Sequence, residues 1–264
     1  YTSLDWVEKF QLPNEGIHTA LFYGLGSDGT VGANKNSIQI IGEATDNYAQ
    51  GYFVYDSRKA GTTTVSHLRF GKKPIKSTYL ITQANFVACH KFSFLEKVHM
   101  LENAAPGGTF LLASPYGPDE VWDQLPQEVQ KQIIEKNLKF YVIDAMKIAE
   151  EKGMGGRINV IMQTAFFKVS GILPENEAVD LIKKYIAKTY GKKGKDIVEA
   201  NISTIDAALA GVHEVRYPKQ ITSKKRMLAP VPETAPTFVK EVLGEIIAGR
   251  GEKIPVSKLP HDGT

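Results

Sequence analysis

Cysteine is nearly missing from this 264-residue chain: Cys89 is the only one. One cysteine excludes a disulfide framework, a Cys-rich zinc site and an iron–sulfur cluster held by this chain alone. It fits a reducing, cytoplasmic compartment. There is no run of about 18 apolar residues, so no membrane-spanning helix is expected. Charge of one sign is also scarce. The formal net charge is +3, too small to predict nucleic acid as a partner. No His/carboxylate cluster has metal-ligand spacing, and no Ser-His-Asp set has supporting context. Repeats and low-complexity segments are absent. What is present is a core: 42% of residues are hydrophobic, enough to exclude overall disorder. The chain begins at Tyr1 without Met and closes on a polar, Pro-bearing tail, which reads as a piece of something longer.

Short apolar runs alternate with helical patterns. Residues 17–23 predict a buried strand stopped by Gly24, and residues 33–45 a helix. Residues 52–56 predict a second strand. Together they read as a βαβ unit around a Gly-rich turn, Gly24 to Gly32. Further strands are expected at 64–70, 84–90, 109–112 and 140–143, with 105–108 as a turn. Helices are expected at 94–101, 121–137, 145–152, 175–190 and 235–248. Residues 78–82 form another short apolar run, and 158–165 admits strand or helix. The pattern predicts a three-layer α/β/α fold, Rossmann-like, with a largely parallel sheet. We divide the chain into a lead-in (1–15), an α/β domain (16–215) and an extended C-terminal arm and linker (216–264).

The sharpest motif is Gly24-Leu25-Gly26-Ser27-Asp28-Gly29, which fits G-x-G-x-x-G between strand and helix. Such a turn points backbone N–H groups at an anion. It serves equally as a tight connection with no ligand. A nicotinamide dinucleotide reading meets two obstacles. Asp28 puts a carboxylate inside the loop unless it caps the helix, and Asp56 lies farther along than the ribose-binding acid usually does. Lys35 adds a cation, but the order is not that of an NTPase P-loop.

The segment from Gly16 to Lys35 resembles the opening of the gamma-type domain of pyruvate:ferredoxin (flavodoxin) oxidoreductases. So do Tyr52 to Gly61, Val65 to Gly71, Phe86 to His90 and Arg157 to Lys168. The stretch from Lys253 to Thr264 is similar to that family's connector to its next domain. The resemblance implies a part of an enzyme that converts pyruvate and coenzyme A to acetyl-CoA and CO2. Two electrons pass to ferredoxin or flavodoxin. It implies thiamine diphosphate, Mg2+ and [4Fe-4S] clusters held by other domains of the same oxidoreductase, and a homodimer for the whole enzyme. For this domain it implies coenzyme A binding and interdomain packing, with no catalytic residue of its own.

Residue chemistry is compatible with that role. Coenzyme A carries a 3′-phosphate and a pyrophosphate, which want N–H donors and cations. Gly26, Ser27, Asp28, Gly29 and Thr30 offer the turn, with Asn34 and Lys35 on the following helix. Arg58 and Lys59 follow the second strand, where carboxyl ends of parallel strands open onto one crevice. The same pair also reads as a solvated basic turn. Asn159 is a further candidate for an adenine or amide contact, or it satisfies local backbone. His67 and Arg69 share a strand face and read as a partner-domain contact or a solvated face. Cys89 reads as a buried small hydrophobe. Lys192, Lys193 and Lys195 read as a basic turn, solvated or docking an acidic carrier. Alternatives to the coenzyme A reading are an NAD(P)-binding Rossmann oxidoreductase and a purely structural interdomain module.

Overall fold

The computed structural model describes Leu12, residues 16–55 and residues 61–262, with only the backbone of Lys193. The Gly-rich turn sits between β1 (Ile17–Leu25) and α1 (Thr30–Ala44). Then come β2 (Tyr48–Val54), β3 (Thr63–Gly71), β4 (Ala84–Cys89) and β5 (Ala104–Ala113). After these the chain forms α2 (Val121–Gln124), α3 (Gln127–Glu135), β6 (Lys139–Ile143), α4 (Ala145–Glu151) and α5 (Asn159–Ser170). The domain closes with α6 (Glu175–Tyr190), α7 (Lys195–Gly211) and β7 (Val212–Glu214).

The seven strands form one sheet in the order β2-β3-β1-β4-β5-β6-β7. Its centre, β1-β4-β5-β6, is parallel. The outer pairings β1·β3, β2·β3 and β6·β7 are antiparallel. β2 therefore runs the same way as β1, as a βαβ unit requires, but β3 lies between them.

Central strands are buried on both faces, and side-chain alternation divides two cores. Ala20, Phe22, Phe86, Ala88 and Leu111 face α1 and α4–α7. Phe166 of α5 meets Phe22 and Phe86 there, each at 5.0 Å between ring centres. Leu21, Tyr23, Val87, Cys89, Phe110 and Leu112 face the opposite layer, built from 3-10 turns, α2 and α3. This is the expected three-layer α/β/α arrangement.

Several local expectations need correction. The helix expected at 94–101 is two 3-10 turns, Phe92–Glu96 and Met100–Asn103. The turn at 105–108 lies within β5 as a register shift against β4. The helix expected over 121–137 breaks into α2 and α3, because Pro126 offers no N–H and holds Leu125 extended. Residues 78–82 form no regular element, and 158–165 is helical. α7 and β7 were not expected; the Lys192–Lys195 stretch is the 3-10 turn before α7 and its first residue. In the arm, a π-helical turn (Val239–Leu243) leads into α8 (Gly244–Ile247).

The arm lies across the second face. Thr222 and Ser223 donate backbone N–H groups to Gln130 Oε1, and Leu228 N donates to the Glu96 carbonyl. Trp122 stacks on Tyr217 at 5.1 Å. Glu102 takes both Arg250 and Lys253 as ion partners.

Candidate functional site

After β1 the chain enters α1 on one face of the sheet, and after β4 it enters 3-10 turns on the other. These two adjacent parallel strands thus form a topological switch point. A crevice opens outside their carboxyl ends, where open α/β sheets bind ligands. A cavity of about 400 Å³ lies there. Its polar wall is Asp28, His90, Lys91, Ser114 and Asp144, and its apolar wall includes Phe92, Met146 and Ile158.

The turn forming one wall is closely fixed. Asp28 bends back so that its carboxylate accepts N–H groups from Leu25 and Thr30, both at 2.7 Å. The carboxylate therefore caps α1 and takes a donor that a dinucleotide pyrophosphate would use. Gly29 precedes α1 with φ of 91°, a left-handed conformation suited to glycine. The N–H groups of Val31 and Gly32, in the first turn, have no intrahelical acceptor and face the same end of the helix.

Thr30 is buried. Its side chain lies over Gly24 so closely that a Cβ at Gly24 would come within 2.4 Å of Oγ1. Thr30 Oγ1 shares a 2.8 Å hydrogen bond with His90 Nδ1. Burial pushes the His90 pKa down to about 4, against an opposing pull from the Asp28 charge. His90 is thus neutral near pH 7.

The proposed ligand residues divide into groups. Gly26 to Thr30 form the turn, and Asn159 packs its side chain against Gly29 while donating to Tyr190 Oη at 3.3 Å. Asn34 is buried inside α1's contact face. Lys35 is exposed and lies 5.4 Å above the Phe53 ring, on the β2 side of α1. Arg58, Lys59 and Asp56 lie outside the described residues. Gly26 N donates to the Thr62 carbonyl at 2.7 Å.

Two other readings are settled. His67 and Arg69 do share a face, but neither is solvated or presented to a partner. His67 Nδ1 accepts the Ile81 N–H, and Arg69 donates to Gln50 Oε1 and the Tyr79 carbonyl. Segment 77–81 of the same chain covers them. Cys89 is fully buried, and its thiol donates to the Lys91 carbonyl.

Lys91, Ser114 and Asp144 belong to no motif in the sequence, and His90 only to the stretch Phe86 to His90. Each lies at most two residues beyond the end of a parallel strand. Strand-end position was the available signal, but it identifies a site only once neighbouring strands are known.

The fold is that of the gamma chains of oxoacid oxidoreductases. A pyruvate oxidoreductase subunit PORC from Thermotoga maritima superposes with a TM-score of 0.59, covering 76% of this chain and 99% of that one at 20% identity. A 2-oxoglutarate:ferredoxin oxidoreductase from Magnetococcus marinus shares the fold at a TM-score of 0.55 and 14% identity, over 81% of this chain and 33% of that one.

Sequence narrows the class. The family model described as pyruvate ferredoxin/flavodoxin oxidoreductase matches residues 19–211, and a domain of unknown function matches 224–264. The chain belongs to the pyruvate ferredoxin/flavodoxin oxidoreductase family. It is 55% identical to a pyruvate-flavodoxin oxidoreductase of Trichormus variabilis, aligning over 100% of this chain and 22% of that protein. A Nostoc pyruvate-flavodoxin oxidoreductase is 54% identical over 100% of this chain and 23% of its own length. The chain therefore spans about a fifth of these curated relatives.

Proposed function

We propose that this chain is the part of a pyruvate:ferredoxin/flavodoxin oxidoreductase that binds coenzyme A and packs against the parts holding the redox chemistry. The observation that carries the reading is the switch-point crevice between β1 and β4, with Leu25 and Asp28 of the turn before α1 on one side and Lys91 on the other. An anionic, partly apolar ligand suits it. The Val31 and Gly32 N–H groups, Lys91, Arg58 and Lys59 serve the phosphates. Phe92, Met146 and Ile158 offer an apolar wall to an uncharged part of the coenzyme. The 2-oxoglutarate:ferredoxin oxidoreductase that shares this fold was solved with coenzyme A and succinyl-CoA bound, which favours the same ligand class here.

The whole enzyme would oxidise pyruvate with coenzyme A to acetyl-CoA and CO2, passing two electrons to ferredoxin or flavodoxin. Thiamine diphosphate and Mg2+ supply the decarboxylation chemistry, and the clusters carry electrons. This chain's donor set does not fit them. Its single cysteine is buried, and the described residues contain no group of three His, Cys, Asp or Glu able to hold a metal.

The edge strand favours the packing role. β2 exposes Tyr48, Tyr52 and Val54, with Tyr79 and Leu80 alongside. An apolar sheet edge of this kind is ordinarily covered.

Calorimetry on the 264-residue chain with coenzyme A, 3′-dephospho-coenzyme A and NAD tests the ligand. Coenzyme A should bind, and NAD should not. Arg58→Ala or Lys59→Ala should each weaken coenzyme A by about tenfold, one charge-assisted contact. Binding of NAD without coenzyme A would overturn the reading. Unchanged affinity in both variants would remove these two cations from the site.

A further inference from the structure

We propose that His90 is a positioning residue: acting through Thr30, it holds α1's N-terminus and the preceding turn in the conformation that faces the crevice. Its consequence for affinity rests on the coenzyme A reading; its effect on the turn does not.

The geometry forms one continuous chain of contacts. The His90 backbone N–H donates to the Tyr23 carbonyl at 2.9 Å, which fixes it to the end of β1. Its ring lies edge-on to Phe22, 6.2 Å between centres. Nδ1 is thereby aimed at Thr30 Oγ1. Thr30 in turn gives its N–H to Asp28, which also holds Leu25 N. Gly24 leaves room for the Thr30 side chain and for little else. His90 is the only member of this set that follows β4, the neighbouring strand on the other side of the crevice. It therefore connects the two walls.

Stability alone does not account for a histidine here. The ring is buried, and Nε2 has no hydrogen-bond partner among the described residues. A buried polar atom without a partner opposes folding. A phenylalanine would keep the edge contact with Phe22 and remove the unmet group. What it would lose is the bond to Thr30. The unmet Nε2 offsets what the Thr30 bond contributes to stability, so what the histidine adds is control of the turn, a pattern expected where geometry serves a ligand.

The test compares His90→Phe with His90→Asn in the full 264-residue chain. Asparagine places a polar atom close to the Nδ1 position and should restore the Thr30 contact. Three measurements are made on each: thermal midpoint, hydrogen exchange of amides 27–32, and coenzyme A affinity by calorimetry. For His90→Phe the midpoint should move by no more than a few degrees, because the unmet Nε2 is removed while Thr30 Oγ1 loses its partner. Exchange at Asp28 and Thr30, the amides of the turn that donate hydrogen bonds, should quicken by at least about tenfold, and coenzyme A affinity should fall by a similar factor. His90→Asn should return exchange and affinity to within about threefold of the parent. Unchanged exchange in His90→Phe overturns the proposal. So does failure of asparagine to restore it while the midpoint is normal. If the parent chain does not bind coenzyme A but exchange follows the expected pattern, the ligand assignment falls and the positioning role stands. Should His90→Phe fail to fold, Thr30→Val, which removes the same bond from the other end, must reproduce the exchange change; without it the proposal fails.

Discussion

Gly24→Ala offers the most direct measure of how tightly the turn is built. The added Cβ would lie 2.4 Å from Thr30 Oγ1, 2.6 Å from its Cβ and 2.8 Å from its Cγ2. Thr30 is buried, so it has no open space to enter. Two costs follow. Overpacking a filled site costs about 1–3 kcal/mol. Moving Thr30 breaks its bond to His90 and leaves Nδ1 unmet in the interior, at about 1–3 kcal/mol. Some relaxation is shared between them, so the sum should be about 3 kcal/mol. For a domain this size that lowers the thermal midpoint by roughly 6–12 °C. Circular dichroism melts and urea titrations would read it. The double variant identifies the cause. In a Thr30→Gly background the clash is gone, and alanine suits a strand better than glycine by roughly 0.5–1 kcal/mol. There Gly24→Ala should be neutral or stabilising. An equal cost in both backgrounds would refute the steric argument, and a cost under about 1 kcal/mol in the parent would refute the stated magnitude.

Two further outcomes follow from burial. The Cys89 thiol is pushed up to about 12 by desolvation, only partly offset by its bond to the Lys91 carbonyl; it should be inert to a thiol reagent in the native chain and react fully in denaturant, and rapid native labelling would contradict its placement. Burial first, and the nearby Arg69 charge second, lower His67 to about 4 from 6.5. His67 is neutral when folded and takes a proton more readily unfolded, so stability should be full above about pH 7 and fall as pH drops toward 4. His90 behaves likewise, each contributing about 1.4 kcal/mol per pH unit across that window. Urea titrations at pH 7 and 5 should show the loss, and His67→Gln should reduce its slope; an unchanged slope would place the effect elsewhere.

Much of the fold follows from local pattern. Runs such as Ile17–Tyr23 and Phe140–Ile143 are short, apolar and rich in β-branched and aromatic residues, as buried strands are. The interval between Gly29 and Thr45 is long enough for one helix against them. Legibility fails where a single residue overrides a periodic pattern, as at Pro126. It also fails where the pattern is weak. α7 mixes Lys195, Asp196, Glu199 and Asp206 with small apolar residues, and packing on α4, α5 and α6 holds it as a helix.

The site divides along the same line. Sequence by itself determined the turn: glycines at 24, 26 and 29 and an aspartate at 28 act over a few residues, where backbone conformation and capping are local. It also determined that one cysteine cannot carry a cluster. The tertiary structure decided the rest. His90 becomes Thr30's partner only because β4 lies next to β1, a pairing between residues 60 positions apart. His67 and Arg69 are buried because a loop ten or more residues away folds over them. β3 enters between β1 and β2 for the same reason: strand order is fixed by long-range pairing energies, which no window of neighbouring residues contains.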